Sequence, residues 1–307
     1  MRMTNRILDF SNSAAYLHAR GATLEVELNG KACHSVPFEE IAALVVAHSQ
    51  VTFSQSAIAR LAEAGGILVV CNDRFMPVAM TMPIESHWYQ AERFVKQAAF
   101  TVPKKKRLWQ QIVRKKIEHQ STVLAGATGK DHGLSAMVPR VLSGDPGNVE
   151  AQASRRYWSK LFSDKQFVRA NPEDPRNALL NYGYAVLRAS TARAIAAAGL
   201  HPTFGLHHAN KLNAYPLADD LMEPFRPIID AQVLRILSNS DLSLQLVPKT
   251  KHELLSILTD RFYSEGEGRT LFDILARMAQ SLARVILARE SKFVIGLDSP
   301  LSTDEEP

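Results

Sequence analysis

Two stretches of the chain concentrate side chains able to hold a cation against a phosphate. The first, Gly147-Asn148-Val149-Glu150, opens a segment of helical spacing that runs on through Tyr157-Trp158. Asn148 suits an N-cap, which puts Glu150 in the first turn, where the helix dipole favours a carboxylate. Taken alone, Glu150 reads first as a helix-stabilising acid. The second stretch, Gly205-Leu206-His207-His208-Ala209-Asn210, leads into Leu217-Ala218-Asp219-Asp220-Leu221-Met222-Glu223-Pro224-Phe225-Arg226-Pro227. Asp220 and Glu223 are three residues apart and share a helical face, whereas Asp219 points elsewhere. Clustered acids can simply solvate a helix, but an adjacent His pair before the turn points to a metal. Carboxylates with a single imidazole suit Mg2+ or Mn2+ better than zinc. Such an ion polarises a phosphodiester, orients an attacking hydroxyl and neutralises developing charge. Glu150 and Glu223 also match the paired carboxylates of a glycosidase, a use that the basic surface argues against.

A third feature is cationic. Lys104-Lys105-Lys106-Arg107 and then Arg114-Lys115-Lys116 place seven cations with no acid until Glu118. On a helix starting near Pro103, Leu108, Trp109, Ile112 and Ile117 turn inward and the cations turn to solvent. The lack of acids favours phosphate contact over a merely solvated face, because each cation can displace condensed counterions from DNA. Such a stripe specifies no base sequence.

These side chains need scaffolding, and the patterning supplies two kinds. The first ~80 residues show short β-branched or alternating runs at Asn5–Phe10, Thr23–Leu28, Ala42–Val46, Ile67–Cys71 and Val78–Met82, with turn residues near their ends. One helix interrupts them, capped by Ser54 or Ser56 and ended by Gly65-Gly66. After Pro83 the period becomes 3.6, with helices expected over Val149–Phe162, Arg176–Ala198, Leu217–Ile236, His252–Phe262 and Leu271–Ala288. Asp174-Pro175 starts one of these and Gly199 stops it. Asn177, Asn181 and Tyr184 share a face there, better suited to holding neighbouring helices by hydrogen bonds than to the alternative of direct DNA contact. Trp158, Phe162 and Phe225 read as core. The expected fold class is α+β: a small N-terminal β-rich domain (1–83), a linker (84–88) and a larger all-helical domain (89–290), with 291–307 disordered.

The bulk properties agree. The length of 307 residues favours two domains, and 46% hydrophobic with 22% charged residues can bury a real core. The net charge of +5 hints at a polyanionic partner, while Asp304-Glu305-Glu306 forms an acidic tail. Cys33 and Cys71 lack the spacing of a zinc site or a disulfide framework. No run is long enough to span a bilayer and the N-terminus has no apolar signal core, so a cytoplasmic protein is expected.

Together the motifs are specific. The ordered set Asn148-Val-Glu150, Arg156-Tyr157-Trp158, Asn177-Ala-Leu-Leu-Asn181-Tyr182-Gly183-Tyr184, Gly199-Leu200-His201-Pro202, Gly205-Leu-His-His208 and Asp220-Leu-Met-Glu223-Pro-Phe-Arg-Pro227 resembles the CRISPR-associated integrase, the larger subunit of the spacer-acquisition complex. The similarity runs from the N-terminal strands to about residue 290, and the His-His form looks most like the type II version. The resemblance implies a dimerising β domain and a helical catalytic domain whose metal ligands are Glu150, His208 and Glu223. By motif His207 is one step from the ligand position, and Asp220 matches a second acid that touches metal or DNA. Many relatives carry Asp where this chain has Glu223.

The implied reaction is transesterification: the 3′-hydroxyl of a captured DNA fragment attacks a phosphodiester at the leader–repeat junction, and a second attack follows at the far end of the repeat. The implied assembly is two homodimers bridged by a dimer of a small ferredoxin-like subunit, a heterohexamer that holds double-stranded DNA. Lys104, Lys105, Lys106, Arg107 and Arg114 belong by resemblance to its DNA platform, and Arg156 and Arg226 to phosphate contacts near the metal. A general metal nuclease of branched DNA, or a DNA-binding subunit without catalysis, would share many of these features.

Overall fold

The computed structural model describes residues 6–10, 13–28, 30–72, 77–81, 90–162, 164, 166–208, 210 and 212–302. The linker expected at 84–88 and the acidic tail at 304–306 lie outside them. The chain is α+β and divides into two compact units, Met1–Trp88 and Tyr89–Pro307.

The first unit is built on two four-stranded sheets. One has the order β1-β5-β7-β8, from Arg6–Phe10, Ile41–Val46, Ile67–Cys71 and Pro77–Met80. Its first three strands run parallel and β8 runs antiparallel. The other has the order β4-β3-β2-β6, from Lys31–Pro37, Thr23–Leu28, Tyr16–Arg20 and Thr52–Phe53. Helix α1 (Gln55–Glu63) begins at Ser54, whose hydroxyl accepts from Ala57 N, so Ser54 rather than Ser56 is the cap. Leu17, Leu24, Leu44, Leu61 and Leu68 are buried in one apolar cluster fed by both sheets and α1. Strands β2 and β4 were not expected. Their sequences, YLHAR and KACHSVP, carry polar residues among few apolar ones, and pairing with β3 on either side makes them strands.

The second unit contains α2 (Gln90–Ala98), α3 (Val102–Thr128), α4 (Val149–Leu161), α5 (Pro175–Ala197), α6 (Pro216–Met222), α7 (Arg226–Ser238), α8 (Pro248–Ser256) and α9 (Leu271–Ile286). The 27-residue α3 packs on α4 and α7, and α5 packs on α6, α7 and α9. Helix α5 buries residues around its whole circumference, including Leu179, Tyr182, Val186 and Ile195, as a central helix does. It approaches α7 closely at Gly183, where an added Cβ would stand 2.4 Å from Ile229 Cγ2. Gly183→Ala is therefore expected to lower stability by ~1–3 kcal/mol through overpacking. A chemical-denaturation midpoint equal to that of the parent would show that α5 and α7 are not this close.

Three expectations need correction. The C-terminal domain is not all-helical: β9 (Arg261–Ser264) and β10 (Glu267–Thr270) form an antiparallel hairpin, and Phe262 lies in β9 rather than ending a helix. Glu265 and Gly266, with φ of 52° and 79°, make the two-residue loop. The helix expected over Leu217–Ile236 breaks into α6, a 3-10 turn at Glu223–Phe225, and α7, because Pro224 and Pro227 lack the amides a continuous helix requires. Finally, residues 291–302 are not a disordered tail. Phe293, Ile295 and Leu297 alternate into the core, Val294 N donates to Ser281 Oγ, and Ser302 bridges to Phe262.

Candidate metal centre

Glu150 is placed by a cap that differs from the one expected. Asn148 occupies the N-cap position of α4 with φ 48° and ψ 43° and makes no side-chain cap bond. Asp145 does that work instead, its two carboxylate oxygens accepting from Val149 N and Glu150 N, each at 2.9 Å. Glu223 is placed by the 3-10 turn, which packs on α3 through the fully buried Phe225. His119 of α3 pins that turn: its Nδ1 donates to Pro224 O at 2.6 Å, and burial pushes its pKa down to about 4, so the ring is neutral at pH 7.

Between the two glutamates stands Lys116 of α3. Its Nζ is 2.5 Å from Glu150 Oε1 and 2.6 Å from Glu223 Oε2. Burial alone would depress the ammonium, but Glu223 and Glu150 more than offset it and hold its pKa above the ordinary value. Burial would likewise raise Glu223, and Lys116 and Arg226 outweigh that, keeping the carboxylate ionised. Arg226 Nε lies 2.9 Å from Glu223 Oε1, and its guanidinium sits 4.7 Å from the centre of the Tyr184 ring. Both oxygens of Glu223 thus face a cation.

The histidine turn closes the other side. Asp220 is fully buried and accepts from Leu206 N, His207 N and His208 N, and from His208 Nδ1 at 2.6 Å. Gly205 lets the turn fold onto α6, since a Cβ there would stand 2.4 Å from His208 O and 3.2 Å from Asp220 Oδ2. With Nδ1 donating to Asp220, the lone pair left on His208 is that of Nε2. The Asp220 hydrogen bond raises the imidazole pKa above 6.5 against the opposing effect of burial, and Glu223 adds to the rise. His207 instead lies flat on Trp109, ring centroids 4.2 Å apart at 1°. Asp220 thus serves as the holder of the His208 ring and its turn.

The helices carrying these groups are tied by Asp230 of α7, which sequence reasoning missed. It accepts from Tyr157 OH of α4 at 2.9 Å and from Tyr184 OH of α5. Asn177 and Asn181 are held by Arg169, which donates to their Oδ1 atoms at 3.1 and 2.8 Å and lies 5.5 Å from the centre of the Trp158 ring. Trp158 and Phe162 are half-buried rather than core. Burial raises the Asp230 pKa from 3.8 to about 6, against the two tyrosine hydrogen bonds. The folded chain therefore holds more protons than the unfolded chain between those pH values, and stability falls as pH rises through that window. A shift of about two units corresponds to ~3 kcal/mol. Asp230→Asn is expected to flatten this slope in urea unfolding between pH 4 and pH 7. Parallel profiles for variant and parent would refute it.

The expected DNA-contacting cations divide into two sets. Lys104, Lys106, Arg107 and Arg156 are exposed. Lys105 donates to Gly205 O at 3.1 Å, and Arg114 donates to Val141 O through Nε and Nη2, so both are engaged within the fold. Lys116, counted with the solvent-facing stripe, is a correction: it is buried. The signal was present, because Trp109, Ile112, Val113 and Lys116 recur at helical spacing on the buried face of α3.

As the side chains stand, no three His, Cys, Asp or Glu groups among the described residues are set to close on one ion. The donor chemistry nonetheless fits Mg2+ or Mn2+: two carboxylates converge on one cation, and an imidazole is oriented by a buried carboxylate. Glu223 Oε2 is buried and faces Lys116 Nζ at 2.6 Å, an anionic oxygen of the kind that ligates these ions.

Comparison with known proteins places this chain of a β-rich and a mainly helical unit. Residues 10–142 and 147–259 match the family described as CRISPR associated protein Cas1. Over 293 residues the chain is 34% identical to the CRISPR-associated endonuclease Cas1 of Neisseria meningitidis serogroup C (strain 8013), covering 94% of this chain and 95% of that protein. The chain belongs to the CRISPR-associated Cas1 family. Its fold is similar to a chain of a Cas6-RT-Cas1–Cas2 complex (TM-score 0.78, 18% identity), covering 97% of this chain and 37% of that one. It is also similar to a casposase bound to integration product (TM-score 0.74, 19% identity), covering 94% and 93% of the two chains. Among the described residues no helix is long and apolar enough to cross a membrane.

Proposed function

We propose that this chain is a metal-dependent DNA endonuclease and integrase that inserts captured DNA fragments as new spacers into a CRISPR array. The observation that carries this is the convergence of Glu150 and Glu223, from separate elements, on one cation beside a histidine oriented by Asp220. The endonuclease name of the Neisseria relative and the integration product on the casposase point the same way.

Glu150, Glu223 and His208 Nε2 would hold Mg2+ or Mn2+. The bound ion supplies Lewis-acid activation of a 3′-hydroxyl and charge neutralisation at the attacked phosphate. Asp220 keeps the His208 proton on Nδ1, leaving Nε2 free to donate its lone pair. Arg226 balances Glu223 and fixes its orientation, and Arg156 contributes a phosphate contact at the rim. Exposed Lys104, Lys106 and Arg107 draw duplex DNA toward the unit, with Lys105 and Arg114 stiffening the same helix. One phosphodiester replaces another, so the joining step needs no external energy source. The β-rich unit serves as the homodimer contact, and a dimer of a small ferredoxin-like subunit joins two dimers into a heterohexamer. The complex containing the first structural neighbour includes Cas2, which is consistent with a partner of that kind.

The test incubates the full chain, with and without the small partner, with a 3′-hydroxyl duplex and a repeat-bearing plasmid in Mn2+ or Mg2+. Joined products that disappear with EDTA are expected. Cutting without joining in the presence of the partner would replace the proposal with a general nuclease, and binding without chemistry would replace it with a DNA-binding subunit.

A further inference from the structure

We propose that Lys116 is a tethered rival of the divalent ion, clasping Glu150 and Glu223 together in the metal-free protein and withdrawing to Gln120 when metal enters. This rests on the metal-centre reading above and assigns the site an internal regulator. The Lys116 ammonium occupies the point where the two carboxylates converge, 2.5 Å and 2.6 Å from one oxygen of each. A divalent ion bound by the same two carboxylates requires that point, and two cations cannot share it.

Charge leads to the same conclusion. Glu150 and Glu223 carry two negative charges against the two positive charges of Lys116 and Arg226, so the cluster is balanced as it stands. Adding a divalent ion without moving a cation would crowd three positive centres onto the two glutamates, which disfavours joint occupancy. Arg226 is braced over the Tyr184 ring. Lys116 has a single unbranched stem and a compact head, and it is the cation better able to move.

A destination exists. Lys116 lines a cavity of about 240 Å³ together with Gln120, Tyr184, Asp230 and two arginines, Arg169 and Arg226, so the berth for its ammonium is the Gln120 and Asp230 side. Gln120 lies one helical turn beyond Lys116 on α3, and its Oε1 is buried with no hydrogen-bond partner. A buried amide oxygen without a donor is uncommon in folded proteins and marks a place where a donor belongs at some stage. A Lys at i and a Gln at i+4 lie on one face, within reach of each other. Lys116 therefore has two berths: the carboxylate pair, and Gln120 Oε1 with the Asp230 end of the cavity.

Isothermal titration and Mn2+ electron paramagnetic resonance on the full chain test this without relying on activity. Lys116→Met removes the rival and is expected to bind Mn2+ at least tenfold more tightly than the parent. Gln120→Leu removes the second berth and is expected to weaken Mn2+ binding several-fold, although Gln120 touches neither glutamate. Because Lys116→Met leaves Glu150 without its counterion and Glu223 with Arg226 alone, and so risks misfolding, Gln120→Leu stands as an independent arm. An Mn2+ complex examined by anomalous diffraction adds a third, with the Lys116 ammonium expected near Gln120. Equal or weaker Mn2+ binding by Lys116→Met, unchanged binding by Gln120→Leu, or an ion bound with Lys116 still between the glutamates would each overturn the exchange and leave the metal centre intact. Absence of Mn2+ binding in the parent and in both variants would instead remove the metal centre itself.

Discussion

Replacing Glu223 by alanine is expected to abolish strand joining and to destabilise the helical unit strongly, whereas Glu150→Ala is expected to abolish joining at a much smaller cost in stability. Both remove a proposed ligand, so both should reduce joined product to background. Their surroundings differ. The Glu223 side chain is 5% exposed and faces Lys116 and Arg226, while that of Glu150 is 25% exposed and faces Lys116 alone. Deleting Glu223 leaves Arg226 without its carboxylate partner and Lys116 with Glu150 alone, and breaking a buried pair in this way typically costs ~3–5 kcal/mol. Deleting Glu150 leaves Lys116 paired with Glu223, so the loss of stability should be under half as large. Urea midpoints measured beside the joining assay separate the two effects. Equal stability losses would mean that Glu223 is not the buried hub described, and residual joining in either variant would remove it from the ligand set.

The second large effect is expected at Asp220, which is buried below the turn and makes no direct contact with metal in this scheme. Asp220→Asn keeps the shape but removes the charge, and its amide can no longer accept from three backbone amides and the imidazole at once. Loss of such an orienting partner typically weakens metal binding and activity by ~10–100-fold. A pH signature distinguishes this from general damage. Protonated His208 cannot bind metal, and the Asp220 hydrogen bond is the largest influence raising its pKa above 6.5. In the parent, Mn2+ binding is therefore expected to fall on acidification through a pH above 6.5. In Asp220→Asn that acid limb should move to lower pH even as the plateau affinity drops. An acid limb that stays in place would show that Asp220 does not govern the imidazole.

Much of the architecture was legible in the chain. The change of apolar period after Pro83 marks the passage from sheet to helix, and Asp174-Pro175 and Gly199 bracket α5 closely. The errors have local causes. The Glu265-Gly266 loop is not one of the usual Asn-Gly or Asp-Gly hairpin signals, and the short strands beside it, RFYS and EGRT, hold too few apolar residues to register against the helical background. Residues 291–302 were judged by polar composition, yet Phe293, Ile295 and Leu297 alternate in the manner of a buried extended segment. The break at Pro224 and Pro227 was readable and was outweighed by the apolar spacing around it.

The candidate site divides in the same way. Glu150, His208 and Glu223 stand out as candidates through the motif order of the family that the chain resembles, because ligand chemistry restricts which side chains serve and because short-range spacing sets which of them share a helical face. Their partners are a different matter. Only the packing of α3 against α4 and the 3-10 turn turned Lys116 from one member of a basic stripe into the cation between two glutamates. Only the folding of the Gly205 turn onto α6 showed that Asp220 holds His208 while His207 stacks on Trp109. Asp230 carried no local signal, since its partners Tyr157 and Tyr184 come from other helices. Spacing along one helix fixes neighbours three or four residues apart, but a contact between helices depends on the angle and depth at which they pack, and those are properties of the whole core.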